Sequence, residues 1–373
     1  MKTLKRRAGS LSTAAGSSEA AAQAIDAGLV YVSDDEPGIV RRRSGKGFVY
    51  RAPDGSAVRD RATLQRIRAL AIPPAYTEVW ICRHARGHLQ ATGRDARRRK
   101  QYRYHPQWSA VRGDGKFDRI VAFGRALPKL RRRLRQDLAL PGYPREKVLA
   151  IVVAVMAETL MRVGNDGYAR DNKSFGLTTL RNRHAEFVRD GRARLRFKGK
   201  GGQDNEVALD DKRLVKLVRG VQQLPGQALF QYRDDEGRVQ PVDSGQVNDY
   251  LRSAMGDSFT AKDFRTWGGT LAATQLLATT ALPAAPSERE LQQLQNEAIK
   301  SVADMLGNTP AVCRKAYIDP CAFAGWRDGS LQRATRGSRG ERQWEQATLR
   351  FLAQAHRAQR KPPARKKAKK KST

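Results

Sequence analysis

With 373 residues, 40% of them hydrophobic, the chain can fill two packed domains and is too apolar for wholesale disorder. Its 71 Lys and Arg outnumber 37 Asp and Glu, and a net charge of +34 points to a polyanionic partner, nucleic acid first. No apolar run reaches the ~20 residues of a membrane span, and the basic N-terminus lacks the apolar centre of a secretory signal, so a cytoplasmic, nucleoid-associated protein without a membrane partner is expected.

Residues 1–28, rich in Ala, Ser and Gly, read as a flexible arm. From 29 to 112, short apolar runs alternate with Gly, Pro and Asp, the pattern of a small β-rich domain. Gly47–Arg51, Val79–Arg83 and His88–Thr92 are strand-like, and Pro53-Asp54-Gly55 marks a turn. One helix, Asp60–Leu70, is stopped by Ile72-Pro73-Pro74. From 113 to 330 the period becomes helical, beginning with Phe117–Leu138 and a helix that Pro144 opens and that runs to about Val163. Strand-like pieces follow at Gly176–Leu180, Ala185–Val188, Arg194–Phe197 and Glu206–Leu209, joined by turns at Asp190-Gly191 and Gly199-Lys200-Gly201-Gly202. Helices return at Asp211–Val221, Ser244–Met255, Ala261–Thr280, Ser287–Leu306 and Ala311–Tyr317. Residues 331–373 carry a last helix, Glu341–Arg357, and a lysine-rich tail suited to nonspecific DNA affinity. The fold class expected is α+β, a small β-rich N-terminal domain and a larger, mainly helical domain with a small antiparallel sheet.

The chain has no GxxxxGK[ST] phosphate loop, no DxDxD cluster and no HExxH, so neither a nucleotide nor a two-metal site suggests itself. Cys82, Cys313 and Cys321 lack metal-ligand spacing and have no histidine close in sequence, so free thiols and no metal are expected. If such a chain cuts DNA, it holds the phosphate's charge with Arg, Lys and neutral donors, and a protein nucleophile conserves the bond energy. Candidates are Arg162 in LMRVGNDGY, Lys200 in FKGKGG, Arg265 in KDFRTWGGT, and Asn308 and Tyr317 in LGNTPAVCRKAY. Taken singly, each has a plainer reading: a helix-end charge, a hairpin tip, a surface ion pair, a helix terminator and a half-buried aromatic.

In the order Arg, Lys, Arg, His or Asn, Tyr, these segments together resemble the type IB DNA topoisomerases, of the small bacterial and poxvirus-like form. RVGNDGYARDNKSFGLTTLRNRH is similar to the stretch around that family's first arginine, FKGKGG to its lysine hairpin, KDFRTWGGT to its second arginine, and LGNTPAVCRKAY to its nucleophile segment. Gly93–Trp108, GRDARRRKQYRYHPQW, resembles its DNA-contacting stretch, and the likeness spans roughly Gly45 to Pro320. The resemblance implies a two-lobed clamp on double-stranded DNA that relaxes supercoils without ATP through a 3′-phosphotyrosyl intermediate. Tyr317 is then the nucleophile. Arg162 and Arg265 bind the non-bridging oxygens, and Lys200, shared with Arg162, protonates the leaving 5′-oxygen. Arg98, Arg99, Gln101, Tyr102, Tyr104, Asn165 and Tyr168 are the implied DNA contacts, the alternating tyrosines placing both rings on one strand face. No cofactor, nucleotide or obligate protein partner is implied, and a monomer suffices.

Asn308 stands where many members have His; its amide donates a hydrogen bond but moves no proton. The five histidines, at 84, 88, 105, 184 and 356, are all distant in sequence, so a site without histidine is expected. Two alternatives are a tyrosine recombinase or integrase and a non-catalytic DNA-binding relative. A recombinase typically carries His-x-x-Arg where this chain has Lys262-x-x-Arg265, and its N-terminal domain is usually helical.

Overall fold

A computed structural model describes residues 21, 24–45, 47–96, 98–108, 117–256, 259–282 and 285–360, with the backbone alone described at 118, 168, 171, 172 and 360. The N-terminal arm up to residue 20, Arg97 and the lysine-rich tail from residue 361 lie outside the described residues. The chain divides into two compact units, Met1–Phe117 and Asp118–Thr373.

In the first unit, β1 (Ile39–Ser44), β2 (Gly47–Arg51), β3 (Thr77–Ile81), β4 (Leu89–Arg94) and β5 (Lys100–Tyr104) form one antiparallel sheet in the order β2-β1-β3-β4-β5. Helix α1 (Arg61–Ala69), capped by Asp60 through a bond from the Thr63 amide, lays Ile67 against Ile39, Val79, Ile81 and Ala91. The run IVRRRS makes β1 an unusual strand. Arg41 is buried, and it is tolerated because its guanidinium donates to the carbonyls of Ile72, Pro73 and Tyr76 at 3.2, 3.0 and 2.7 Å. Ala24 packs with Leu29 and Trp108, so this unit takes in residues that composition assigns to the arm.

The second unit is built around α3 (Arg145–Thr159). Val148, Leu149, Ala150, Ile151, Val152, Val153, Val155 and Met156 are all buried, so this helix is apolar all round and sits in the core. Each of these side chains larger than alanine stabilises the fold by about 1.5–3 kcal/mol over an exposed one. Around it pack α2 (Asp118–Leu138), α5 (Lys212–Gln222), α6 (Ser244–Met255) and α7 (Ala261–Thr279). The chain continues through α8 (Glu288–Leu306), α9 (Pro310–Ala316), α10 (Pro320–Arg327), α11 (Ser330–Thr335) and α12 (Glu341–Arg360), the last packing on α2, α7, α10 and α11. A short helix α4 (Asp166–Asn172) follows α3. Strands β6 (Ala185–Phe187), β7 (Ala193–Lys198) and β8 (Asp204–Leu209) form a three-stranded antiparallel sheet, and β9 (Gln231–Arg233) pairs with β10 (Val239–Pro241). The α+β class is as expected from sequence.

Two local expectations fail near Arg162. The helix predicted to reach Val163 ends at Thr159, because Leu160 turns left-handed, with φ 52°, and its carbonyl is taken by Arg265. The strand predicted at Gly176–Leu180 is a short 3-10 turn, Leu177–Thr179, whose amides reach back to Arg162 and Val163 carbonyls at 2.9 and 2.7 Å. The irregular backbone at 161–165 is thereby held by a neighbouring turn instead of by helix. No described helix is long and apolar enough to cross a membrane.

Candidate functional site

Arg162, half-buried on the irregular stretch after α3, donates through Nη2 to Asn308 Oδ1 at 2.5 Å and to the Gly307 carbonyl at 3.5 Å. Asn308 is placed by the end of α8. Gly307 takes φ 56°, a left-handed conformation natural to glycine, and the Asn308 amide then bonds back to Ala303 O at 2.9 Å. Thr309 and Pro310 start α9 at once, with the Thr309 hydroxyl accepting from the Val312 amide. Tyr317 is not inside a helix, as predicted, but caps the C-terminal end of α9 with φ −133° and ψ −8°. Its ring is half-buried, and among the described residues its hydroxyl has no hydrogen-bond partner.

Arg265 lies in the second turn of α7 and is 4% exposed. Its terminal nitrogens donate to the carbonyls of Leu160 and Leu306, the second at 2.7 Å, and its guanidinium carbon stands 5.1 Å from the centroid of the Tyr317 ring. The reading of Arg265 as a surface ion pair is therefore wrong. Buried Nε has no partner among the described residues. Burial first, and the Arg265 cation next, pull the Arg162 guanidinium below the ordinary arginine value, while Tyr317 and Cys313 act in the other direction. Two guanidiniums in mutual repulsion beside a phenol and an amide can bind a tetrahedral oxyanion and set the phenol against it. Cys313 is fully buried under this cluster as a core residue, its thiol pushed up mainly by burial.

Behind Tyr317 the backbone is fixed by α7. A Cβ on Gly269 would stand 2.8 Å from the Tyr317 carbonyl, so only glycine allows this approach. The Thr270 hydroxyl donates to that carbonyl at 3.1 Å and accepts from the Asp319 amide at 3.0 Å. Asp319 caps α10 through a bond from the Cys321 amide, and His356 Nε2 on α12 lies 2.7 Å from its Oδ2. Sequence reasoning missed Thr270, Asp319 and His356. It expected no histidine near Cys321, yet the donor atoms of Asp319, Cys321 and His356 lie within 4.8 Å of one another. Burial and the Asp319 carboxylate push the Cys321 thiol up to about 12. Only the fold, which brings α12 back over α10, reveals this group.

Lys200 is not brought into contact with the other four. It stands exposed at the tip of the β7–β8 hairpin, where Gly199 N bonds to Gln203 O at 2.8 Å, and no described residue pairs with its ammonium. The turn end of the hairpin does reach the cluster: Asn205, paired with Phe197 just below the tip, has Oδ1 3.0 Å from where a Cβ on Gly307 would lie. Beside the hairpin is a groove of about 1280 Å³, lined by Arg170, Lys173, Arg181, Arg183, Arg196 and Lys198 against Asp166, Asp204 and Glu206. Its basic side chains are spread over three segments and were not singled out from sequence. Asn165 is exposed just before α4, with its carbonyl accepting the Ala169 amide, while the Tyr168 side chain lies outside the described residues.

The other expected DNA contacts lie in the first unit. Tyr102 and Tyr104 on β5 are exposed by 47% and 42%, their rings stacked 6.1 Å apart and 7° from parallel, which matches the one-face expectation. Arg98, at φ 58° in the β4–β5 turn, is exposed. Arg99 and Gln101 instead turn onto Asp95, Arg99 Nη2 at 2.7 Å and Gln101 Nε2 at 3.0 Å from its Oδ2.

Such a cluster can hold a phosphate group, and comparison with known proteins gives the class. The family profile of the eukaryotic DNA topoisomerase I catalytic core matches residues 106–321, and that of the bacterial DNA topoisomerase IB N-terminal domain matches residues 47–95. DNA topoisomerase 1B of Acanthamoeba polyphaga mimivirus is 34% identical over 286 residues, covering 75% of this chain and 85% of the relative. DNA topoisomerase 1B of Vaccinia virus (strain Copenhagen) is 24% identical over 251 residues, covering 65% and 73%. The chain belongs to the type IB DNA topoisomerase family, isomerases that act on DNA.

Proposed function

We propose that this protein relaxes supercoiled duplex DNA without ATP, by transient cleavage of one strand through a covalent bond to Tyr317. Tyr317 Oη attacks the scissile phosphorus, the bond to the 5′-oxygen breaks, and a 3′-phosphotyrosyl ester forms while the departing oxygen takes up a proton. Torsion then rotates the free 5′-hydroxyl end, and the reverse attack reseals the strand. The ester conserves the bond energy, so no nucleotide is consumed. One site cuts one strand, so a monomer suffices.

The observation that carries this reading is the meeting of Arg162, Arg265, Asn308 and Tyr317, distant in sequence, around one phenol. Arg265 has five N–H donors and uses two in its named bonds, so it still has donors for a non-bridging oxygen. A phosphate there also relieves the repulsion between the two guanidiniums. Asn308 Oδ1 is committed to Arg162, and its Nδ2, only weakly engaged with Leu306 O at 3.4 Å, is the donor we assign to phosphate. Lys200 is the general acid in this scheme, delivered by its hairpin once DNA fills the adjoining basic groove. Tyr102, Tyr104 and Arg98 contact the duplex, with Asn165 and Tyr168 near the scissile site; Arg99 and Gln101, held by Asp95, act through the shape of their turn.

The test is a suicide duplex whose short downstream fragment, beginning with the free 5′-hydroxyl, dissociates after cleavage, trapping the adduct for peptide mapping. The expected attachment is at Tyr317, and Tyr317→Phe should form no adduct and relax no plasmid. Attachment at any other residue sinks the scheme. Failure on plasmids lacking a particular site would favour a recombinase.

A further inference from the structure

The C-terminal helix α12 reaches the nucleophile segment through a buried group that the proposed chemistry does not use. His356 is anchored on a well-packed helix: Ala347, Thr348, Phe351 and Leu352 of α12 are buried, and Glu345 forms a two-oxygen pair with Arg131 of α2 at 2.6 and 2.7 Å. The imidazole stands 2.7 Å from Oδ2 of Asp319, a residue 1% exposed. Two residues upstream is Tyr317, and between them Ile318 is fully buried. The Thr270 hydroxyl joins the Tyr317 carbonyl to the Asp319 amide, so the segment 317–319 is held from one side by α7 and from the other by α12.

The three donor atoms of Asp319, Cys321 and His356 have a spacing that a divalent cation could use. Each is already engaged otherwise. Asp319 Oδ1 accepts the Cys321 amide at 2.9 Å, Oδ2 faces His356, and the Cys321 sulfur accepts from Gln359 Nε2 at 3.3 Å. A buried carboxylate satisfied at both oxygens is a rigid fixture, and losing one partner leaves it uncompensated.

We infer that His356 is a positioning residue for the nucleophile: by holding the Asp319 carboxylate it fixes the main chain that carries Tyr317, so that α12 is part of the active-site scaffold. This rests on the reading of Tyr317 as the nucleophile. Its effect should fall on the step in which the phenol meets phosphorus, because a displacement of about 1 Å there costs on the order of a hundredfold in rate. DNA affinity depends on phosphate contacts elsewhere and should not change.

The experiment measures covalent attachment to the suicide duplex at saturating DNA, with DNA affinity and Tm, for the full-length wild type, His356→Ala, His356→Gln and Thr270→Val. His356→Ala is expected to slow attachment roughly ten- to a hundredfold with unchanged affinity. His356→Gln, whose amide nitrogen can replace imidazole Nε2, should recover most of the rate. Thr270→Val probes the same tether from α7 and keeps the test open where alanine unfolds the segment; combined with His356→Ala it should slow attachment no further than the slower single variant. The inference is overturned if His356→Ala reacts at the wild-type rate, if rate and affinity fall together with no rescue by glutamine, if the two losses multiply independently, or if the purified protein holds a stoichiometric divalent metal that His356→Ala releases. A wild type that forms no adduct at Tyr317 refutes the nucleophile reading itself, which is a distinct result.

Discussion

Arg265 is 4% exposed with both terminal nitrogens on backbone carbonyls, while Lys200 stands exposed on a glycine-rich tip where its ammonium meets no described residue. The two belong to the same unit and, in the proposed reaction, serve the same phosphate. The arginine's orientation is settled during folding, when its donors are aligned by Leu160 and Leu306. No described residue aligns the lysine, and it gives up about 2 kcal/mol of rotamer entropy when it engages. In the proposed reaction, charge that must always be stabilised is built into the core, and the proposed proton donor is carried on an element that substrate can order. Without DNA, cleavage chemistry is therefore incomplete.

The sharpest way to break this contrast is to truncate the caged residue. Arg265→Ala should lower the attachment rate on the order of a hundred- to a thousandfold, the scale of a lost oxyanion donor. It should also lower Tm by several degrees, because two buried carbonyls lose their donors at about 1–3 kcal/mol each. Arg265→Lys should restore little, since one ammonium cannot span both carbonyls and still face phosphate. A variant that is slow but melts like the wild type would show that the cage is dispensable for the fold.

Lys200→Ala should cost about a hundredfold in attachment rate and leave Tm unchanged, since the Lys200 ammonium pairs with no described residue. If the lysine protonates the leaving group, replacing the scissile 5′-oxygen by sulfur should return most of the rate, because a thiolate leaves without a proton. Lack of rescue would move the lysine from acid to simple phosphate contact and weaken the contrast with Arg265.

How much of this was legible beforehand follows the same division. The hairpin around Lys200 was readable, because turn glycines and alternating strands are local signals. The end of α3 was not: Leu160 is a good helix former, and it leaves the helix because Arg265, 105 residues away, takes its carbonyl. Strand β1 went unseen because three consecutive arginines conceal an inward position at Arg41, whose acceptors come from another segment. Tyr317 was singled out by its flanking residues, but its place as a cap beside Thr270 depends on α7. His356, 39 residues after Tyr317, has no local signal at all. Chemistry that clusters in motifs could be read, and support that arrives through tertiary packing could not.

Asn308 lies between the two extremes and gives the finest test. It is half-buried, it accepts from Arg162 at 2.5 Å, and its own amide nitrogen makes only one long bond, at 3.4 Å. Asn308→Ala removes a neutral donor and frees Arg162, whose charge remains, so the expected loss is about tenfold in attachment rate, the scale of one hydrogen bond. Asn308→Asp keeps the bond to Arg162 but places an anion where phosphate charge must grow, so it should be slower than alanine and should weaken DNA binding as well. If aspartate instead matched alanine, Asn308 would serve only to orient Arg162, and the phosphate would be held by the two guanidiniums and the incoming lysine alone.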